Sequence, residues 1–432
     1  MNERRKTSLR HEVDFMVGFP FKSEGYSPEG VKLLRGDNIA QGSLSWHDAK
    51  RWPAAQQKSF QAYELQEDDI VLAMDRPWID SGLKYAAISR YDLPCLLVQR
   101  TARLRGGKNL DTKFLKYVIG SPQFTKYVKY ITTGSLVPHI SGDQIKDFGL
   151  YLPSLSTQEG IAAVLCALDA KIDCNNRINA ELEAMAKMLY DYWFVQFDFP
   201  NANGKPYRSL GGTMVYNAAL KRAIPEGWFD SSVLAVADLL GGGTPTKRKS
   251  TFWGGDIPFF TPTDADGSIF KFTTADYITE EGLKGSSTKR FGKHTVFITA
   301  RGSVGRLVLA GVDMAMNQSC YALRAKPGIS HVFLFFLAKE LIHHLQVKSS
   351  GSVFDSIVSN DIELTSLAMP PNEVIEKFAT GVEPAFEKIA SNTKENQQLA
   401  QLRDWLLPLL MNGQVTVAAY DLSATFGARY SR

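Results

Sequence analysis

Residues 158–193 read QEGIAAVLCALDAKIDCNNRINAELEAMAKMLYDYW. Ile161, Leu165, Leu168, Ile172, Asn175, Asn179, Leu182, Ala186, Leu189 and Trp193 recur there at alternating steps of four and three. On a helix this spacing draws one stripe, and a period of 3.5 residues calls for a partner helix to cover it. Pro153, then Ser156-Thr157 as N-caps and Glu159 in the first turn, mark the start. Neither glycine nor proline interrupts Ile161 to Phe199, so a long helix is predicted over 154–199. From Ile161 to Trp193 it would run ~50 Å at ~1.5 Å per residue.

The partner lies 217 residues downstream. With that shift, Gly134–Leu189 falls on Gly351–Leu406 without a gap. Gly134-Ser135 lands on Gly351-Ser352, Ile140 on Ile357, Ile145 on Ile362, Leu150 on Leu367 and Pro153 on Pro370. Within the helices, Lys171-Ile172 lands on Lys388-Ile389, Asn175 on Asn392, Asn179 on Asn396, Leu182 on Leu399 and Leu189 on Leu406. Shared leucine periodicity alone does not explain the matched Gly-Ser pairs, prolines and asparagines, so the chain is a tandem repeat. Two asparagines inside each apolar stripe cost stability but can set register and pairing.

The chain has 432 residues, 44% hydrophobic and 22% charged, enough for two to four globular domains. No signal peptide or long apolar run is visible; Val332–Ala338 is too short to cross a bilayer. Cys95, Cys166, Cys174 and Cys320 have no CxxC spacing and read as reduced thiols of a cytosolic protein. The net charge of +4 is unevenly spread. Residues 1–150 carry +5, 151–200 carry −4, 201–370 carry +4 and 371–432 carry −1. Basic globular parts suit a polyanion such as nucleic acid, and acidic helical parts suit a protein partner.

Residues 1–150 are rich in strands and turns. The apolar runs Ile70–Met74, Tyr85–Ile88 and Leu96–Val98 lie between Gly, Pro, Asp and Asn clusters, and a helix is predicted over Phe114–Tyr130. Residues 229–370 repeat this plan, with Val296–Arg301 resembling Val71–Arg76, Asn317-Gln318 resembling Val98-Gln99, and a helix over His331–Gln346. The order is globular, long helix, globular, long helix. With short connections the two helices pack antiparallel, placing the globular parts at the ends of a rod related by a pseudo-twofold.

Catalytic signatures are missing. There is no P-loop, no dinucleotide-binding fingerprint and no HExxH, and Gly241–Ser250 has glycines and lysines at the wrong spacing. The adjacent His343-His344 point about 100° apart on a helix and make a poor metal pair. Neither a catalytic residue nor a metal ligand is expected.

Four features together resemble the specificity subunit of Type I restriction–modification systems. They are the alternation of two globular parts with two long helices; the segment Thr133-Gly134-Ser135 through Leu152-Pro153 to Gln158 and Ile161, with its second copy at Gly351–Phe378; Ile224-Pro225-Glu226-Gly227-Trp228 opening the second half; and the linker Phe197-Asp198-Phe199-Pro200 through Asn203-Gly204-Lys205-Pro206-Tyr207 to Gly211-Gly212. The first half lacks the Pro-Glu-Gly-Trp opening, and Ile375 stands where the first helix has Gln158. Neither departure breaks the plan.

The resemblance implies an α+β chain. Target-recognition domains at 1–153 and 224–370 alternate with connector helices at 154–199 and 371–412, with a linker at 200–223 and a tail at 413–432. Each domain would read one half of a split, asymmetric DNA site, and the helix pair would set the spacer. Two methyltransferase subunits would dock on the helices, and restriction subunits would join them. S-adenosylmethionine, ATP and magnesium would sit on those partners, with no cofactor on this chain. A stand-alone DNA-binding adaptor of the same build is the alternative.

For DNA contact, Arg76 and Arg301 end equivalent strands, where arginine can meet guanine edges or phosphate, or form a surface ion pair. Gly134, Ser135, Gly351 and Ser352 can offer N–H and hydroxyl groups to phosphate, or only end the preceding helix. Ser303 lies in the loop after Arg301. Lys247, Arg248 and Lys249 read as a phosphate patch or a solvated charge run, and Lys126 and Lys129 as DNA-facing or as flanking an aromatic core. The helix interface is expected at Ile161, Leu165, Leu168, Ile172, Asn175, Asn179, Leu182 and Leu189, against Ile389, Asn392, Asn396, Leu399 and Leu406. Trp193 and Trp405 read as anchors near the helix ends.

Overall fold

A computed structural model describes residues 4–79, 82–132, 138–348 and 355–417. The chain divides into two units, Met1–Lys171 with Leu399–Arg432, and Ile172–Gln398.

In the first unit, strands β1 (Val13–Val17), β2 (Ile70–Ala73), β3 (Tyr85–Ala87) and β4 (Thr101–Gly106) form an antiparallel sheet in the order β1-β4-β2-β3. All of β2 is buried, because both faces of the sheet are covered. Ile70 and Leu72 pack with Phe114 and Leu115 of helix α1 (Thr112–Ile119), whereas Val71 and Ala73 join Leu34, Ile39 and Leu97 on the other face. A second sheet pairs Val31–Leu34 antiparallel with Arg51–Trp52 and parallel with Cys95–Leu97. Arg5–Ser8 closes the unit against Gly149–Leu152.

The helix expected over Phe114–Tyr130 is two helices. The chain leaves α1 at Gly120, and Ser121 caps α2 (Pro122–Ile131) by accepting from the Phe124 N–H. The cause is Pro122, which disfavours helical backbone at Ser121 but suits the first helical position.

The first long helix, α3, spans Leu155–Tyr190 and ends in a π-helical turn over Asp191–Val195, short of residue 199. Its cap is Ser154, whose Oγ accepts from the Thr157 N–H at 3.3 Å, and not Ser156-Thr157. The linker that follows is structured. Phe199 stacks on Tyr207 at 4.7 Å, Asp198 accepts from the Ser209 N–H at 2.7 Å, and Trp228 packs on Phe197 and Phe199. A hairpin of Met214–Asn217 and Arg222–Pro225 straddles the expected boundary at residue 223.

The second unit repeats the plan. Strands β5 (Ala237–Gly241), β6 (Phe270–Lys271), β7 (Val296–Thr299), β8 (Leu307–Ala310) and β9 (Cys320–Ala325) take the order β5-β9-β7-β8-β6, with only β6 and β8 parallel. Trp253–Phe260 pairs antiparallel with Asp276–Ile278 and parallel with Ala315-Met316. Val296 and Ile298 face helix α4 (His331–Lys348), and Phe297 faces Val308 and Ala322 on the other side. Helix α4 is apolar around most of its circumference, as befits a helix covered by a sheet on one side and long helices on the other.

The second long helix, α5 (Asn372–Asn412), pairs antiparallel with α3 inside each unit. In the second unit Asn175 meets Asn396, Asn179 meets Asn392, and Leu189 lies 3.8 Å from the Cβ that a side chain at Gly381 would carry. In the first unit Asp169 binds Arg403 at 2.9 Å, and Ile161 and Leu165 share a core with Leu407 and Leu410.

Candidate nucleic-acid interface

Each unit gathers four loops at one end of its main sheet. In the second unit these follow β5, Phe260 and β7, with the turn Asn317–Ser319 entering β9. Backbone bonds tie them together: Gly243 N–H to Met316 O at 3.0 Å, Asn317 N–H to Phe260 O at 3.0 Å, and Ala300 N–H to Ser319 O at 2.8 Å. Ile357, just beyond the second Gly-Ser loop, donates to Ala300 O at 2.9 Å. The first unit repeats this set, with Phe19 N–H on Leu97 O (3.0 Å), Val98 N–H on Leu34 O (3.1 Å), Met74 N–H on Arg100 O (2.9 Å) and Ile140 N–H on Met74 O (2.9 Å).

These bonds fix which residues correspond. Ile140 and Ile357 bind Met74 and Ala300 in the same way, and the bridges Asp75–His139 and Arg301–Ser356 occupy the next position. Arg301 therefore corresponds to Asp75, one residue away from the expected match with Arg76. Arg76 takes the place of Gly302, and both have positive φ, +44° and +81°. Matching VFITAR to VLAMDR by its final arginine misplaces the repeat by one position.

The two tips differ in charge. In the first unit the Asp75 carboxylate accepts from Arg100 at 2.6 Å and lies 2.6 Å from His139 Nδ1. Partial burial disfavours its charge, but the bonds from Arg100 and His139 more than offset this and hold the carboxyl below the usual range. In the second unit the same position presents the exposed guanidinium-bearing Arg301. Arg76 is exposed beside Pro138, to whose carbonyl its N–H donates at 2.7 Å.

The other expected DNA contacts scatter. Lys126 is exposed, and Lys129 lies over the Trp78 ring at 4.9 Å. Tyr127 packs on Phe148, whereas Tyr130 is 80% exposed. Lys247 lies over Trp253 at 5.9 Å and Arg248 is exposed, but Lys249 is bound to Glu281 at 2.5 Å. That pair draws the Glu281 carboxyl below its usual range, so Lys249 is already paired with an acid. The Ser303 carbonyl accepts from the Thr299 hydroxyl, which braces the loop after Arg301. Gly134, Ser135, Gly351 and Ser352 lie outside the described residues.

Of the expected helix-interface residues, Ile161, Leu165, Asn175, Ile389 and Asn392 are buried, while Leu168, Ile172, Asn179, Leu182, Leu189, Asn396, Leu399 and Leu406 are half-buried. The core of the second unit also draws on aromatic residues outside that expected interface, with Tyr190, Phe194, Phe378 and Phe386 packed against Phe333 and Phe336 of α4. Trp193 is buried among them, but Trp405 is 61% exposed.

The long helices also present apolar side chains outward. Met185 and Met188 are 64% and 70% exposed beside a groove of about 720 Å³ lined by Leu182, Leu189, Gly381 and Val382. Their counterparts under the 217-residue shift, Leu402 and Trp405, are exposed in the first unit.

Among the described residues no three His, Cys, Asp or Glu side chains gather as a metal site, and no helix is long and apolar enough to cross a membrane. Burial pushes the Cys95 and Cys320 thiols up to about 12, so neither is a ready thiolate.

Comparison with known proteins agrees with this duplicated plan. The chain is 27% identical over 312 residues to the Type I restriction enzyme MjaIX specificity subunit of Methanocaldococcus jannaschii, covering 71% of this chain and 69% of that one. It is 25% identical over 354 residues to the HindI specificity subunit of Haemophilus influenzae, covering 70% and 77%. Its fold is that of the S subunit of a Type I restriction–modification system from M. genitalium, with a TM-score of 0.56, 14% identity, and coverage of 94% and 96%. The model of the Type I restriction modification DNA specificity domain matches twice, over residues 37–184 and 225–401. The second match takes in a whole loop cluster, the first all of its cluster but the loop after β1, and each includes most of the long helix that follows; on that double match the chain belongs to the Type I restriction modification DNA specificity domain family.

Proposed function

We propose that this chain is the DNA-reading subunit of a Type I restriction–modification complex. The observation that carries the reading is the duplicated loop cluster, built on the same hydrogen bonds in both units but tipped with Asp75-Arg76 in one and Arg301-Gly302 in the other. Two frames of one design with different tips suit a split site whose two halves differ in sequence.

The exposed Met185-Met188 and Leu402-Trp405 pairs supply one apolar patch on each long helix, at matching places in the repeat. They suit two copies of one partner, and we assign them to two methyltransferase subunits. Restriction subunits would join that core. S-adenosylmethionine, ATP and magnesium belong to these partners, and the complex works in the cytoplasm.

Co-expression with the adenine methyltransferase of the same host tests the reading, using light scattering for stoichiometry and methylation-sensitive sequencing for the target. The expected outcome is one copy of this chain with two methyltransferases, and adenine methylation in a split motif. A chain that binds duplex DNA without that partner or motif is a stand-alone adaptor. Methylation or cleavage by the purified chain alone overturns the reading.

A further inference from the structure

We infer that Gln99 and Gln318 are a matched pair of DNA-positioning residues, each holding its domain to the DNA phosphate backbone without reading sequence. The inference rests on the DNA-binding role proposed above.

Both glutamines are exposed and stand in the same turn, two residues past the strand Cys95–Leu97 or Ala315-Met316 and two before β4 or β9. Thr101 pairs with Ala73 in one sheet and Cys320 with Thr299 in the other, which sets Gln99 and Gln318 at one structural position. The turn is held closely in both units. Gln99 N–H donates to Phe19 O, and Asn317 N–H, one residue before Gln318, donates to Phe260 O. A Cβ at Gly18 would come within 2.2 Å of Val98 O, and a Cβ at Gly242 within 2.1 Å of Asn317 O. Each unit thus needs a glycine where the first loop passes under the glutamine turn.

The turn also touches the charged tips. Arg100 and Ser319 follow the glutamines, and their carbonyls receive the N–H groups of Met74 and Ala300 at the strand ends that carry Asp75 and Arg301. In the second unit the Thr244 hydroxyl donates to Gln318 Oε1. With that oxygen engaged, what the exposed side chain has left to offer a ligand is its two N–H donors.

The residues beside the glutamines differ between the units: Phe19-Pro20 against Gly243-Thr244, Asp75 against Arg301, and Arg100 against Ser319. A side chain kept identical while its neighbours change suits a feature that both half-sites share. Phosphate oxygens are that feature, and an amide N–H is a good donor to them.

The test uses the full chain and a labelled mixed-sequence duplex, read by fluorescence anisotropy, together with the methylation motif of the co-expressed complex. Gln318→Ala and Gln99→Ala should each weaken duplex binding roughly tenfold, the loss of one hydrogen bond to a charged group. The methylated motif should keep every base. Gln318→Lys should restore binding and steepen its dependence on log salt by about one unit. Unchanged thermal melting separates these effects from misfolding. Loss of a specified base from one half of the motif, or unchanged affinity in both variants, overturns the inference. Failure of the unaltered chain to bind any duplex instead overturns the DNA-reading role on which it rests.

Discussion

Asn175 donates to Asn396 at 2.9 Å, and Asn392 donates to Asn179 at the same distance. Because Asn392 and Asn396 are the repeats of Asn175 and Asn179, the two bonds are one contact made twice, related by a local twofold within the second unit. Asn175 and Asn392 are almost completely buried, and Asn392 Oδ1 has no hydrogen-bond partner among the described residues. Buried polar pairs of this kind restrict register, since sliding one helix by a turn would leave several amides facing leucine.

Asn179→Leu alone takes from the buried Asn392 amide its bond to Asn179 Oδ1 and should cost about 1–3 kcal/mol in denaturant unfolding. Replacing both, Asn179→Leu with Asn392→Leu, should recover that loss or exceed it, while loosening the register. Cross-linking between cysteines placed along α3 and α5 would show the second effect as additional pairings. A double variant less stable than the single one would mean that the pair contributes net stability and does not act mainly on register.

The corrected repeat alignment sharpens what Arg301 should do. Arg301→Ala should relax one base position in one half of the methylated motif, at about 1–3 kcal/mol of lost discrimination, and leave the other half intact. Asp75→Ala, at the matching place, should act only on the opposite half, by releasing Arg100 and His139. The measurement is the methylation motif of cells expressing each variant with the methyltransferase. Equal loss at both halves would contradict independent reading by the two units.

The helices and the repeat were legible in the chain because both rest on periodicity: the stripe from Ile161 to Trp193 recurs in register at Phe378–Leu410. The off-by-one match of Arg76 to Arg301 shows where that legibility stops. The runs VLAMDR and VFITAR align by residue type, but strand pairing decides their register, and the pairing partners, Arg103 with Val71 and Ala322 with Phe297, lie far away in sequence. The Asp75–Arg100–His139 cluster was hidden for the same reason, since its members come from three loops. The break at Gly120-Ser121 was readable from Pro122, whereas the aromatic core around Phe378 depends on a helix crossing that no local pattern marks.

Met188 and Trp405 give a test of the docking surface. Met188→Glu should remove one of two methyltransferase subunits, and Trp405→Glu the other, because a carboxylate at an apolar contact must be desolvated without a partner. Mass measurement of the co-expressed complex should fall by one methyltransferase for each variant, and the double variant should purify alone. Both side chains are exposed, so the stability of the isolated chain should stay within about 0.5 kcal/mol. Full stoichiometry in the double variant would place the partners elsewhere.

His331 at the start of α4 should make the second unit sensitive to acid. Its ring stacks on His294 at 3.9 Å between centroids, with Lys293 on the same loop and Glu383 of α5 at 3.9 Å from Nδ1. Burial first, then His294 and Lys293, lowers the His331 pKa to about 4, and burial lowers that of His294 as well. The folded protein therefore refuses a proton that the unfolded chain accepts near pH 6.5. As pH falls from about 6.5 to 4 the unfolded state binds more protons, so stability falls across that window, by on the order of 3 kcal/mol for His331. Hydrogen exchange of the α4 amides, corrected for intrinsic rates, should show that decline. His331→Phe keeps the stacked ring and removes the titration, so most of the slope should vanish and the shares of His294 and His344 remain. An unchanged slope in that variant would assign the acid sensitivity to other groups whose folded pKa is lowered, such as His344 of α4, which burial also holds below its usual range.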